Sequence, residues 1–155
     1  MKSKAERLDE AASAYERCVA LGGRSFELLM NIGVLRRRQG RFDAAEQAYR
    51  SALELDPKSI IARYGLGQSL YRLGRQREAL MEFSDALARD PNNADAHRLL
   101  AVVYRTLGRI DDARKVYSGL GADAEERTVS ALGLGECALA ADDGATAAGF
   151  FQRAF

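Results

Sequence analysis

The sequence repeats itself every 34 residues, and this period constrains the fold more than any other feature. One column of the repeat holds small residues, at Gly33, Gly67, Ala101 and Gly135. A second column holds aromatic residues, at Tyr15, Tyr49, Phe83, Tyr117 and Phe151. Because independent columns share one period without a gap, the pattern predicts copies of one short structural unit, each packed on its neighbours.

Each copy has the pattern of two helices joined by a turn. In residues 26–59, Leu29 and Ile32 begin an apolar stripe at helical spacing, and a second stripe begins at Phe42. Gly40 lies between the stripes, where it is expected to end the first helix, and Pro57 stops the second. The turn glycine recurs at Gly74 and Gly108. The sequence therefore predicts antiparallel helix pairs and an all-α fold.

These features resemble the tetratricopeptide repeat, through the Leu-Gly or Ile-Gly pair of the first helix, the Ala and aromatic residue of the second, and the Asp-Pro terminator. The resemblance implies an all-α solenoid whose antiparallel helix pairs form a right-handed superhelix, with one domain over residues 1–155. The expected divisions are a partial repeat with the second helix only at 1–25, repeats at 26–59, 60–93 and 94–127, and a final truncated repeat at 128–155. The family's usual first-helix Trp is absent: its place is taken by Leu29, Arg63, His97 and Ala131.

No motif predicts catalysis or cofactor binding. Gly119-x-Gly121-x-x-Ala124 and Gly133-x-Gly135-x-x-Ala138 match the loose dinucleotide pattern, but a phosphate-binding loop needs a preceding strand. His97 is the single histidine and has no second ligand for a metal nearby, so we expect a packing or surface residue. We predict a protein that is not an enzyme and uses no cofactor and no metal.

Bulk properties narrow the class of partner. The formal net charge of +1 gives no electrostatic case for nucleic acid, and no apolar run approaches a membrane span. The start of the chain is charged and does not have the pattern of a signal peptide, so we expect a cytoplasmic protein. Cys18 and Cys137 lie in distant units and are expected to be small packing residues of a reducing compartment, unable to form a disulfide with each other.

The resemblance implies a binding surface on the first helix of each pair, because in this family that helix lines the concave face that receives peptides. The predicted peptide-binding groove consists of Met30, Asn31, Val34, Arg37, Arg38, Tyr64, Gln68, Tyr71, Arg72, Arg98, Val102, Arg105, Leu132 and Glu136. Arginine mixed with Tyr, Met and Val favours an acidic, partly apolar peptide, since arginine binds carboxylates with two parallel hydrogen bonds. Many of the acidic residues lie on the predicted second helices, so basic and acidic surfaces are expected to be separate. The alternative is a solvated surface on which arginine stems cover apolar area. The chaperone-binding carboxylate clamp of this family is not expected, since Asn31 alone matches it.

Two other functions stay open at this stage. One is a substrate-recruiting arm of a larger enzyme, such as a bacterial transferase with appended repeats. The other is a structural platform that assembles with itself through incomplete ends, where Phe150, Phe151 and Phe155 would be left partly uncovered. The absence of a pairing helix at each end predicts either a piece of a longer chain or ends that another surface covers. The leading prediction is a non-catalytic scaffold for protein interaction.

Overall fold

The computed structural model describes residues 1–120 and 124–154. Within these residues the chain forms nine α-helices and no strand. The helices are Lys4–Ala20 (α1), Phe26–Arg38 (α2), Phe42–Leu55 (α3), Ile60–Arg72 (α4), Gln76–Arg89 (α5), Ala94–Thr106 (α6), Ile110–Gly119 (α7), Ala124–Ala140 (α8) and Gly144–Ala154 (α9). The predicted succession of first and second helices is present, starting with a second helix at α1.

The helix ends follow the local sequence. Five of the described helices begin with a side chain that accepts a hydrogen bond from a backbone N–H of the first turn: Ser3, Ser25, Ser59, Asn93 and Asp143. The predicted turn glycines lie just after α2, α4 and α6 with positive φ: Gly40 at 77°, Gly74 at 78° and Gly108 at 72°. Residues with a Cβ rarely adopt this conformation, so the prediction that glycine ends these helices is confirmed.

The chain divides into two compact units, Met1–Glu82 and Phe83–Phe155, with the boundary inside α5. In the first unit α2 packs against α3, α3 against α4, and α1 against α2. Its core includes Leu29, Ala52 and Ala62, and half-buried apolar side chains such as Val19 and Met30 pack on them. In the second unit α6 packs on α7, α7 on α8, and α8 on α9.

Tyr49 of α3 fills the space between two first helices of the first unit. A Cβ added to Gly33 of α2 would lie 2.7 Å from Tyr49 Cε1, and one added to Gly65 of α4 would lie 2.5 Å from Tyr49 Cζ. The Tyr49 side chain is 1% exposed. The sequence predicted the contact with Gly33. It did not predict the contact with Gly65, which fixes how closely α4 approaches α3.

The second unit repeats this arrangement around Tyr117 of α7. Its core holds Ala101, Ala113, Tyr117 and Cys137, and a Cβ on Gly133 would overlap the Tyr117 ring. Burial raises the pKa of the Tyr117 hydroxyl to about 12, and the nearby Glu136 carboxylate adds to the shift. Burial also raises the pKa of the Cys137 thiol. The predicted packing role of Cys137 is therefore confirmed.

Two details differ from, or add to, the sequence prediction. Cys18 was expected to be a packing residue, but it is exposed, because α1 packs on α2 and its outer side faces water. The second helix of residues 94–127 is short: α7 ends at Gly119 after 10 residues, against 14 in α3, whereas Gly121 lies outside the described residues.

Replacing Gly65 with Ala should destabilise the protein by up to about 2 kcal/mol. Alanine normally favours a helix interior over glycine by about 1 kcal/mol, but here the added methyl would overlap the Tyr49 ring, which costs about 1–3 kcal/mol. Urea unfolding measures the difference. Gly149→Ala in α9 is the matched control, since no atom lies within 4 Å of its Cβ position and a small gain is expected. Equal gains in both variants would contradict the contact.

Asp142 occupies the column of Gly40, Gly74 and Gly108 and has φ of 59°, a conformation that favours glycine. Asp142→Gly should therefore raise the stability by about 0.5–1 kcal/mol. Thermal unfolding followed by circular dichroism gives the measurement. Asp142→Ala keeps the strain and should show no gain, so a gain in the alanine variant equal to that in the glycine variant would refute the backbone explanation.

The raised pKa of Tyr117 predicts a loss of stability at high pH. In the unfolded chain the hydroxyl loses its proton near pH 10, while in the folded chain it keeps the proton to about pH 12. The stabilisation is complete below pH 10 and is lost between about pH 10 and pH 12, by about 2–3 kcal/mol. Urea unfolding of the parent and Tyr117→Phe at the two ends of this window should show a smaller loss in the variant. Cys137 is present in both proteins, so equal losses would overturn the prediction.

Candidate functional site

The α2 and α4 helices contact each other in the first unit, and the predicted groove residues of that unit belong to these two helices. None of these residues is buried. Asn31, Arg38 and Arg72 are exposed, while Met30, Val34, Arg37, Tyr64, Gln68 and Tyr71 are half-buried. Met30 also packs against the Leu29, Ala52 and Ala62 core, so part of its surface is already used by the fold.

Arg37 lies near the aromatic residue that spaces the two helices. Burial raises the pKa of the Tyr49 hydroxyl, and its interactions with Arg37 and Arg38 oppose the shift. The Arg37 Nε is buried and has no hydrogen-bond partner in the described part of the protein. At least one donor of this guanidinium is therefore unused.

Arg72 is oriented in a different way. Its Cζ lies 4.7 Å from the centre of the Phe42 ring, so the guanidinium lies over the face of the ring in a cation–π contact. Within residues 1–120 and 124–154, no carboxylate oxygen forms an ion pair with Arg37, Arg38 or Arg72. These three cations and the neighbouring Val34 and Tyr71 form what we call the basic face of the first unit.

The predicted groove residues of the second unit have a different charge balance. Arg98 pairs with Asp95 at 3.2 Å, and Arg105 pairs with Glu136 at 3.4 Å. Both members of the second pair belong to the predicted groove, and the structure brings them together across α6 and α8. Val102 and Leu132 are half-buried beside them. This surface presents apolar area with neutralised charge.

The acidic residues of the second helices are paired within the first unit. Glu46 of α3 binds Arg50 at 2.9 Å and Arg75 at 2.7 Å, and Arg75 also binds Glu78 of α5 at 2.6 Å. The pKa of the Glu78 carboxyl is held below its usual range by its hydrogen bond with Arg75. The sequence interpretation of separated basic and acidic surfaces is therefore incomplete, because much of this acid is used by arginines of the same unit.

Arg36 was not singled out in the sequence and has a structural role. Its side chain is buried, its Nε donates to Glu16 Oε1 of α1 at 2.8 Å, and its Nη1 donates to Gln39 Oε1 at 3.0 Å. Gln39 in turn donates to Asp9 Oδ1 of α1 at 2.7 Å. These bonds fasten α1, whose one buried residue is Ala12, to the end of α2. Arg36 is followed by Arg37 and Arg38, and nothing in the sequence separates the three residues. The burial of Arg36 is visible only in the structure.

The residues predicted for self-association are located only in part. Phe150 and Phe151 are half-buried in α9, and a Cβ on Gly135 would lie 2.5 Å from Phe151 Cε1. Phe151 is thus committed in part to packing on α8. Phe155 lies outside the described residues. Self-association through this end stays a prediction.

The remaining chemical candidates have local partners. His97 Nε2 lies 2.8 Å from the carbonyl oxygen of Pro91, next to the start of α6. In the described ranges, no three His, Cys, Asp or Glu side chains lie close enough to hold a metal ion. No described helix is long and apolar enough to cross a membrane.

Comparison with solved structures shows the fold. A crystal structure of MamA matches with a TM-score of 0.83 at 20% identity, and the match covers 99% of this chain and 94% of that one. YrrB, described as a TPR protein with an unusual peptide-binding site, has a TM-score of 0.78 at 17% identity, with coverage of 96% and 77%. TTC0263, a TPR protein of Thermus thermophilus, has a TM-score of 0.71 at 21% identity, with coverage of 96% and 82%. No curated protein matches the sequence significantly.

The tetratricopeptide repeat model matches residues 2–60 and 62–126, which is most of the sequence. Together with the helix pairs and the structural likeness, this match confirms the predicted all-α tetratricopeptide solenoid. Proteins of this family are generally non-catalytic scaffolds for protein interaction, so the fold implies a protein or peptide partner. The chain belongs to the tetratricopeptide repeat family.

Proposed function

We propose that this protein is a non-catalytic interaction scaffold and that the basic face of its first unit binds an acidic, partly apolar peptide. The observation that carries the proposal is the charge of this surface. Arg37, Arg38 and Arg72 have no carboxylate partner among the described residues, although acidic side chains elsewhere in the unit are paired with other arginines. We further propose that residues 1–155 serve as one interaction domain.

One of the three guanidiniums is positioned before a partner arrives, because Arg72 stacks on the Phe42 ring. The Arg37 side chain is half-buried and lies near the Tyr49 hydroxyl. A side chain that is already ordered loses less conformational entropy on binding, which increases affinity. Each can still donate hydrogen bonds to a carboxylate, and such charge-assisted bonds are stronger than neutral ones. The half-buried Val34 and Tyr71 supply apolar area between the charges.

The predicted groove residues of the second unit should contribute less to the recognition of negative charge. Arg98 and Arg105 would first have to leave Asp95 and Glu136 in order to bind a peptide carboxylate. Exchanging one ion pair for another gives little net free energy. We therefore assign contacts with apolar side chains to the groove residues of the second unit, and contacts with carboxylates to those of the first. YrrB, which has the same fold, is described as having a peptide-binding site.

Reversing two of the exposed charges tests this proposal. The probe is a short fluorescein-labelled peptide in which Glu alternates with Leu and Phe, and its binding is followed by fluorescence anisotropy. Arg38→Glu with Arg72→Glu should weaken binding by about tenfold or more, since charged hydrogen bonds contribute about 1.5–3 kcal/mol each. Both side chains are exposed, so the helicity should not change.

The matched control reverses two other exposed cations of the same unit, Lys58→Glu with Arg77→Glu. It makes the same change in net charge and should keep the affinity of the parent. A peptide with Gln in place of Glu should bind weakly to all three proteins. Equal loss in both double variants would show that net charge alone attracts the probe, and the proposed site would then be wrong.

A further inference from the structure

The second unit has a furrow on α8, between the end of α7 and α9, that the peptide-binding prediction does not use. Its volume is about 340 Å³. Apolar side chains form the walls and two arginines stand at the edges: Leu120, Ala131, Leu134 and Phe150, with Arg127 and Arg153. A volume of this size is in the range of sites that take a small ligand or a few side chains.

The first unit contains the same furrow with different chemistry, which provides an internal comparison. There, on α2 between α1 and α3, the volume is about 210 Å³. Three periods separate the two sets of residues, so four positions can be compared directly. Leu29 corresponds to Ala131, Ile32 to Leu134, Ala48 to Phe150 and Ser51 to Arg153. The repeat itself therefore explains a shallow furrow, but not the larger volume or the arginines.

Two differences enlarge this furrow. Ala131 replaces the larger leucine found at the equivalent position in α2, and α7 has 10 residues where its equivalent α1 has 17. Phe150, which replaces the smaller Ala48, acts in the opposite direction. The end of α7 is nevertheless anchored, because Ser130 Oγ donates a hydrogen bond to the Tyr117 carbonyl oxygen at 2.6 Å. Leu120 and Leu134 also pack on the Ala101, Ala113, Tyr117 and Cys137 core, so the walls are part of the packed unit.

The arginines of the furrow have no partner among the carboxylates of residues 1–120 and 127–154. Both Arg127 and Arg153 are exposed, and neither forms an ion pair with a carboxylate in these ranges. Arg153 Cζ lies 5.6 Å from the centre of the Phe150 ring, which places this guanidinium beside the apolar wall. An occupant that fits must combine an apolar group for the cavity with negative charge for the rim.

We propose that this furrow is a second docking site, which takes an acidic peptide segment. An apolar side chain of the peptide enters between Leu134 and Phe150, and flanking carboxylates pair with Arg127 and Arg153. The furrow lies on α7, α8 and α9, whereas the basic face belongs to α2 and α4. The proposal does not depend on the one made for the first unit.

Two variants test the furrow separately from the basic face. Arg127→Gln with Arg153→Gln removes the charges, and Ala131→Leu fills the cavity with the residue that the fold already accepts at position 29. The probe is a fluorescein-labelled peptide with a photoreactive benzoylphenylalanine between glutamates. Each variant should reduce the binding assigned to the furrow by about tenfold. Circular dichroism checks that the helices are kept.

The position of the crosslink identifies the site. Trypsin cleaves after Arg127 and Arg153, so residues 128–153 leave as one peptide that contains most of the furrow, and in Arg127→Gln with Arg153→Gln, which lacks both sites, the same residues leave within 116–155. Crosslinks to residues 128–153 that disappear in both furrow variants, and persist in Arg38→Glu with Arg72→Glu, support the proposal. Crosslinks that persist in the furrow variants overturn it, whatever happens at the basic face. Displacement of the probe by a single-stranded oligonucleotide that needs the same arginines would overturn the assignment to a peptide.

Discussion

The contact between a second-helix aromatic ring and the glycines of first helices determines the rest of this structure. In the first unit the Tyr49 ring lies against Gly33 and Gly65 so closely that neither position has room for a methyl group. Tyr117 against Gly133 and Phe151 against Gly135 repeat the contact in the second unit. Apolar burial drives the packing in general, but it acts without direction. The ring and the missing Cβ atoms select one distance between helices, and so the position of every side chain on their outer surfaces.

This contact also links the fold to the candidate site. Arg37 of the basic face lies near the Tyr49 hydroxyl, because the two groups affect each other's electrostatics. Four other arginines of the first unit have a different role. Arg36, Arg50, Arg63 and Arg75 each bind a carboxylate of a neighbouring helix in the same unit. An arginine left without a carboxylate among the described residues is available to a partner, which is the physical basis of both proposals.

The sequence was sufficient to predict the helices, their ends and the column of aromatic residues, because each depends on residues at fixed positions within the 34-residue repeat. It was not sufficient for the charges. Arg36 and Arg37 are neighbours in the chain, yet one is buried against Glu16 and the other faces the groove. Arg75 meets Glu46, which lies 29 residues earlier, and no local pattern indicates such a pair. Cys18 was misplaced for a related reason: its position in the repeat is the same as in other units, but α1 has a neighbour on one side only. The furrow of the second unit depends on the length of α7 and could be found only in the structure.

A repeat protein provides its own controls, since equivalent positions share a backbone environment. Where packing decides the residue, the copies agree, as with the aromatic column and the glycines that end α2, α4 and α6. Asp142 departs from its column but keeps the same turn: its φ is positive, and its N–H donates to the Leu139 carbonyl oxygen at 3.0 Å as the Gly40 N–H donates to that of Arg37. Ser51 and Arg153 occupy the same position in two copies, and so do Ala48 and Phe150. The Arg153 guanidinium lies 5.6 Å from the centre of the Phe150 ring, a contact that serine beside alanine cannot make. A contact with a ring face does not use the N–H donors of the guanidinium, so they can still bind a negative group. This difference between copies is the reason to search for a partner at the furrow as well as on the basic face.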